Sequence, residues 1–314
     1  MKILLPDTMP LDPCLPDGWE AVVLDARAPI PAEHHDAEAL VVWGASRAHL
    51  ASAAEDLPRL RFIQSLAAGV EGILAAGFRP DVRITSGSGL HSSTVAEHAL
   101  ALTLALVRRL PQSLAAQQRH EWSRELGGLQ PLHPEGELTT LLDARVLIWG
   151  FGEIGRTLAP LLQQLGAQVR GVARSAGERD GFEVLAQDDV AAALGETDVL
   201  IDILPADDHT AGAIDAAVLD ALPDHALVVN VGRGTTVDQE ALLAALREGR
   251  IGGAALDVTD PEPLPAEDPL WEAPRLILTP HAAGGRPVGA DERIAHNLRA
   301  LDGDGDLVHE VARD

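Results

Sequence analysis

The sequence predicts an α/β protein built as two doubly wound, parallel-sheet domains. Short β-rich runs alternate with Ala- and Leu-rich stretches of helix length in two separate series, the signature of βαβ units. The chain of 314 residues exceeds the roughly 100–200 of a single domain and fits two. A glycine-rich turn near residue 150 opens the second series.

The first series, before residue 90, contains KILLP, AVVLD, ALVVWG, LRFIQS and VRITS. These are short β-rich runs, and strands separated by helix-length segments argue for parallel sheets built from βαβ units. Next comes SGSGLHSSTVAEHALALTLALVRRL at 86–110, in which Ser92, Ser93 and Thr94 are candidate N-caps for an apolar helix that passes from one domain to the other. Residues 120–143 lack periodicity and read as an arm or long loop. The second series is RVLIWG, QVRGVA, DVLIDIL, ALVVNV, GAALDV and RLILTP.

Composition narrows the function classes. Apolar residues make up 46% and charged residues 23%, enough to bury a full core. The single cysteine, Cys14, has no internal disulfide partner, which fits a reducing compartment. MKILLPDTMP reads as a first strand and not as a signal peptide, and the apolar run at 99–107 falls far short of the ~20 residues that span a bilayer. A cytoplasmic protein is expected. The net charge of −24 repels phosphate backbones, so neither nucleic acid nor an anionic membrane is expected as a partner. An anionic ligand must be held by local positive groups.

Gly150, Gly152 and Gly155 form G-x-G-x-x-G between the strand-like RVLIW and a helix-like stretch, the context that gives this pattern meaning. Gly150 permits the turn, Gly152 lets the backbone approach a pyrophosphate, and Gly155 lets helix and strand pack closely. The helix start at Glu153 and Ile154 offers free N–H groups to the phosphates. A site selective for NAD places a carboxylate about 20 residues further on, at the end of the second strand. Here that position reads Ala173-Arg174-Ser175, a guanidinium and a hydroxyl suited to a 2′-phosphate. NADP(H) is therefore the expected coenzyme, with NAD(H) possible. The plainer reading makes Arg174 a solvated loop residue or a platform for adenine.

Three later segments each end a strand and present a polar side chain: Arg233 in VVNVGRGTTVD, Glu262 in ALDVTDPEPLP and His281 in LILTPHAAGGRP. Ligands of open α/β sheets bind beyond the carboxyl ends of strands. Singly, each residue has a structural explanation; in this order after a nucleotide-binding pattern, the three point to chemistry.

The stretches QSLAAGVEGI, HSSTVAEHAL, IWGFGEIGR, ILPADDHTAGAI, VNVGRGTTVDQEAL, GAALDVTDPEPLP and LTPHAAGG together resemble, in order and spacing, the D-isomer-specific 2-hydroxyacid dehydrogenase family. The resemblance covers nearly the whole chain. It implies a Rossmann coenzyme domain (91–284) inserted in a flavodoxin-like discontinuous substrate domain (1–90 plus 285–314), and a homodimer joined through the coenzyme domains. It makes Arg233 the residue that binds the substrate carboxylate and polarises the keto oxygen, His281 the proton donor, and Glu262 the partner that orients the imidazole and favours its charged form. Hydride delivery leaves negative charge on oxygen, which an acid and a guanidinium stabilise.

The same resemblance places Ala68, Gly69 and Val70 in a substrate loop, Asp257 opposite the nicotinamide carboxamide, and Thr210 in a loop bordering the coenzyme. For Asp257 a loop cap is the competing role. The Ala-Arg-Ser strand end and GGRP at 284–287 look like the NADP-using glyoxylate and hydroxypyruvate reductase branch, in which Arg286 could reach substrate; a surface position is the alternative.

The expected function is NADPH-dependent reduction of a small 2-keto acid to the D-2-hydroxy acid. Formate dehydrogenase chemistry and a corepressor-like nucleotide sensor are the alternatives, and the full Arg233, Glu262 and His281 set favours the enzyme. No metal is expected: His34 and His35 would diverge on a strand, with no ligand cluster about them.

Overall fold

A computed structural model describes residues 1–313. In chain order the elements are β1 (Lys2–Pro6), β2 (Glu20–Leu24), β3 (Ala39–Val42), α1 (Arg47–Asp56), β4 (Phe62–Ser65), α2 (Glu71–Leu74), β5 (Arg83–Thr85), α3 (Ser92–Val107), α4 (Leu110–Gln118), β6 (Arg145–Trp149), α5 (Glu153–Gln164) and β7 (Gln168–Ala173). They continue as β8 (Gly177–Arg179), β9 (Phe182–Ala186), α6 (Ala191–Leu194), β10 (Val199–Asp202), α7 (Ala216–Ala221), β11 (Leu227–Asn230), α8 (Gln239–Glu248), β12 (Gly253–Leu256), β13 (Leu276–Leu278) and α9 (Ala290–Leu301). The chain divides into two compact units, one from Met1–His91 with the segment from Arg286 onward, the other Ser92–Gly285.

The first unit carries a five-stranded sheet in the order β2-β1-β3-β4-β5, every pair parallel. That order is the flavodoxin-like one. One face packs Leu4, Leu40 and Ile63 against Leu50, Ala53 and Leu57 of α1 and its end. The other packs Ile3, Val41 and Phe62 against Ile294 and Leu298 of α9, so the C-terminal helix completes a core begun by the N-terminal strands.

The second unit carries an eight-stranded sheet, β13-β12-β11-β10-β6-β7-β9-β8. Its centre is the doubly wound dinucleotide-binding order. Strands β10, β11 and β12 are buried throughout, as expected of parallel strands covered on both faces. Helix α5 buries Gly155, Leu158, Ala159 and Leu162, a spacing of i, i+3, i+4 and i+7 that aims one stripe at the core shared with α3. Asp238 caps α8 by accepting from Ala241 N at 3.0 Å, and Gly249 ends it in a left-handed turn at φ 72°.

All eleven expected strands form. Three local readings need correction. The segment after β7 folds into a β8–β9 hairpin, β8 being antiparallel, which the sequence reading lacked because GER has no strand-like apolar pattern. Helix α3 is already under way at Ser92, so the three hydroxyls lie in its first turn and not at its cap. His34 ends a 3-10 turn and His35 follows it, so the pair does not lie on a strand. Among the described residues, no helix is long and apolar enough to cross a membrane.

Candidate active site

The glycine turn follows β6 directly. At Gly150 φ is 105° and an added Cβ would lie 2.6 Å from Ile203 O, so both conformation and packing exclude a side chain. At Gly155 a Cβ would come within 3.1 Å of Gly150 O, which ties α5 to the turn. Gly152 has nothing within 4 Å of that position, so the space over the turn is open where a ligand would approach. Glu153 begins α5 and is exposed, while Ile154 packs against the core.

Beyond β7, Arg174 and Ser175 are exposed. Among the described residues no hydrogen bond or ion pair engages the Arg174 guanidinium. A residue outside the sequence-based reading joins them. Arg179, on β8, donates from Nη1 to Phe151 O at 3.0 Å and from Nη2 to Ser175 O and Oγ, both at 3.2 Å. It ties the glycine turn to the end of β7. Its signal is hidden because GER carries no strand-like apolar pattern.

Thr210 closes its own loop. Its hydroxyl lies 2.6 Å from Pro205 O, Asp207 N donates to it at 2.9 Å, and the side chain is buried. The hydrogen bonds from His209 and Thr210 hold the Asp207 carboxyl below the usual range, the His209 N–H foremost.

Arg233 follows β11, half-buried, between Gly232 and Gly234. A Cβ on Gly234 would fall 2.1 Å from Thr259 O, so this turn lies directly on the loop that carries Glu262. Gln239, at the start of α8, fastens the same two segments: its amide donates to Asp260 O at 2.6 Å and accepts from Asp260 N at 3.0 Å.

His281 and Glu262 meet. Imidazole Nδ1 lies 2.8 Å from Glu262 Oε2, while Glu262 Oε1 accepts from Thr259 N at 3.1 Å. The carboxylate is thus anchored on one oxygen and faces the ring with the other, which leaves the ring's Nε2 edge for a ligand. His281 is held at φ 50°, a left-handed conformation that a non-glycine residue adopts only when its surroundings enforce it.

Asp257 does the enforcing. Its carbonyl accepts from His281 N at 2.8 Å, and its carboxylate accepts from Ala282 N at 2.8 Å, Ala283 N at 3.0 Å and the Thr279 hydroxyl at 2.6 Å. His98 of α3 adds an imidazole Nε2, 3.2 Å from Asp257 Oδ1 and 3.0 Å from Thr279 Oγ1. Asp257 is 1% exposed, and of its two candidate roles the loop cap is the one visible here. His98 has no signal in the sequence, because its partners lie more than 150 positions away. Beside these residues lies a cavity of about 640 Å³ lined by Glu262, Leu264, Trp271, Leu278, Pro280 and His281.

In the first unit, Ala68, Gly69 and Val70 form the turn between β4 and α2. The turn's base is fixed by Gly87 N donating to Ala67 O at 2.7 Å and by the His91 ring, whose Nε2 lies 2.7 Å from Leu66 O. Arg286 is exposed; two residues on, Val288 N donates to Leu90 O at 2.7 Å, so both segments border 87–91.

Residues 100–283 match the model of the D-isomer specific 2-hydroxyacid dehydrogenase NAD-binding domain. A glyoxylate/hydroxypyruvate reductase A of Salmonella paratyphi B is 35% identical over 267 residues, 81% of each chain. A D-isomer specific 2-hydroxyacid dehydrogenase from Xanthobacter autotrophicus, solved with NADPH and MES, is 27% identical, with a TM-score of 0.80 over 99% of this chain and 97% of that one. An NADPH-dependent glyoxylate/hydroxypyruvate reductase from Sinorhizobium meliloti, solved with NADP and sulfate, is 26% identical, with a TM-score of 0.79 over 99% and 97%.

The pinning by Asp257 has a measurable cost. Replacement by alanine strands two N–H groups and a hydroxyl, and buried unsatisfied groups cost about 1–3 kcal/mol each before water enters. Asp257→Ala is expected to lose roughly 2–4 kcal/mol of stability in a urea titration. A loss within about 0.5 kcal/mol, typical of a surface change, would mean that the loop is held by something else.

Proposed function

Because the chain belongs to the D-isomer specific 2-hydroxyacid dehydrogenase family, whose members are oxidoreductases acting on CH–OH groups, we propose that it reduces a small 2-keto acid to the D-2-hydroxy acid with NADPH, glyoxylate and hydroxypyruvate being the leading substrates. The observation that carries this reading is the His281–Glu262 pair at 2.8 Å, set beside the Arg233 turn at the edge of a dinucleotide-binding sheet.

The second unit is the coenzyme domain and the first the substrate domain. Gly150, Gly152 and Gly155 admit the pyrophosphate, with the α5 N-terminus at Glu153 and Ile154 beside it. Arg174 and Ser175 receive the 2′-phosphate, and the absence of a carboxylate at the end of β7 removes the usual discrimination against it. Thr210 and Asp257 support loops that border the coenzyme. When bound, NADPH supplies a hydride to C2 of the substrate.

Arg233 binds the substrate carboxylate and faces the oxygen on which charge develops. His281 gives the Nε2 proton to that oxygen, so hydride and proton together convert the ketone to the alcohol; in reverse the neutral ring takes the proton back. Glu262 fixes the tautomer by accepting from Nδ1. Ala68, Gly69 and Val70 offer main-chain N–H groups to the carboxylate, and Arg286 is a further candidate cation.

A homodimer joined through the second unit fits the exposed apolar side chains of Leu110, Leu114, Trp122, Leu129 and Leu132, which lie on α4 and the 120–143 arm. Light scattering on the purified protein should give twice the chain mass, and Trp122→Asp should shift it to the monomer. A monomeric wild type would remove this part of the reading.

Initial rates of NADPH and NADH oxidation with glyoxylate, hydroxypyruvate, pyruvate, phenylpyruvate and branched 2-keto acids test the reaction. Turnover with NADPH preferred is expected, and His281→Ala should lower kcat by roughly 10²–10⁴ while coenzyme binding persists. Binding of NADPH without turnover of any acid would favour a nucleotide-sensing protein of the same fold.

Arg174→Ala should weaken NADPH about ten- to a hundredfold, the range for a charge-assisted hydrogen bond, and leave NADH nearly unchanged. Equal losses for both coenzymes would assign Arg174 to the fold or to adenine.

A further inference from the structure

One carboxyl group of the second unit is buried without an ion pair. Asp202 ends β10 and is 0% exposed. Its Oδ1 accepts from Leu204 N at 2.9 Å, and its Oδ2 is hydrogen-bonded to the Thr236 hydroxyl. The same Thr236 oxygen lies 2.6 Å from Arg233 O. Asn230 Nδ2 also donates to Arg233 O at 2.9 Å, and Asn230 Oδ1 accepts from Gly232 N at 2.8 Å.

The hydrogens on this chain can be counted. A hydroxyl carries one, while a carboxylate and a carbonyl carry none. If Asp202 is ionised, Thr236 serves either Asp202 or Arg233, and one close oxygen–oxygen contact has no hydrogen in it. If Asp202 is the neutral acid, Oδ2–H donates to Thr236 Oγ1 and the hydroxyl donates to Arg233 O, so every contact is made.

From this chain of contacts we infer that Asp202 is held as the neutral acid and is a positioning residue for Arg233, donating through Thr236 to the Arg233 carbonyl. The inference rests on the reading of Arg233 as the group that binds the substrate carboxylate.

The surroundings agree. Trp149 of β6 and Asn230 of β11 stand opposite Asp202 in register, neither of them charged. The charged side chain on the adjoining turn is Arg233 itself, whose Nη1 donates to Gly232 O at 2.8 Å. Arg145, which opens β6, and Asp198, just before β10, pair with each other at 3.1 Å. Burial, with no cation against it, pushes the Asp202 carboxyl up to about 7. The acid therefore predominates below that pH and is lost above it, which takes the hydrogen of Thr236 away from Arg233 O.

The test uses Asp202→Asn, whose amide keeps both roles at every pH: the carbonyl accepts from Leu204 N and the NH₂ donates to Thr236. Infrared spectra of the full-length protein at pH 6 should show a protonated carboxylic acid C=O stretch that Asp202→Asn removes. The KM for the 2-keto acid should rise at least threefold more in wild type than in Asp202→Asn between pH 6 and 9. Asp202→Ala should raise KM throughout that range.

Absence of the infrared band would overturn the neutral acid. A band accompanied by parallel KM curves would overturn the positioning role. If no keto acid is turned over at all, the proposed reaction fails while the spectrum still decides the protonation state.

Discussion

Parallel pairing of the second sheet is the constraint on which the rest depends. Val172, Trp149, Asp202, Asn230, Leu256 and Leu278 stand in register across six strands, each the last residue of its strand or next to it. Because the strands run the same way, every chain leaves the sheet at this edge. Gly150, Gly152, Arg174, Arg233, Asp257 and His281 all follow within three residues of that row. Residues spread over more than 130 positions are thereby gathered at one sheet edge without any long-range recognition between them.

What the edge needs beyond proximity is rigidity, and buried polar groups beneath it supply that. Asn230, Asp202 and Asp257 lie at or just past the row, all essentially inaccessible, and each is hydrogen-bonded to the backbone of a loop above it. Buried polar groups survive only when satisfied. Here the partners of Asn230 and Asp257 include main-chain groups of the Arg233 and His281 turns, and Asp202 reaches the Arg233 turn through Thr236, so the core's polar requirements and the site's geometric ones are met by the same bonds. Asp257 has two N–H groups, a hydroxyl and an imidazole around its carboxylate, whereas Asp202 has one N–H and a shared hydroxyl. Burial with so few donors and no cation against it pushes the Asp202 carboxyl toward its neutral form.

The central strands were legible because buried parallel strands are short, continuous apolar runs bounded by turns, and RVLIWG or ALVVNV need no tertiary information to read. The glycine turn was legible for a local reason too: strand, three spaced glycines and helix are contiguous. Arg233, Glu262 and His281 were legible as candidates from their position after strands and from resemblance, not from any mutual contact in the sequence. What escaped depends on packing. The hairpin carrying Arg179 is stabilised by pairing with β9 and by the Phe151 carbonyl, neither of which GER announces. His98 sits on an apolar helix face, where a histidine gives no hint of a partner near residue 257. Asp202 reads as an ordinary polar residue in DVLIDIL until the fold seals it.

The proposed reaction requires direct hydride transfer at this sheet edge. The most direct measurement reduces glyoxylate or hydroxypyruvate with NADPH carrying deuterium at the transferred C4 position and locates the label in the product. Deuterium on C2 of the 2-hydroxy acid is the predicted result, with the product of hydroxypyruvate in the D configuration. Unlabelled product, or consumption of NADPH without a 2-hydroxy acid, would contradict it.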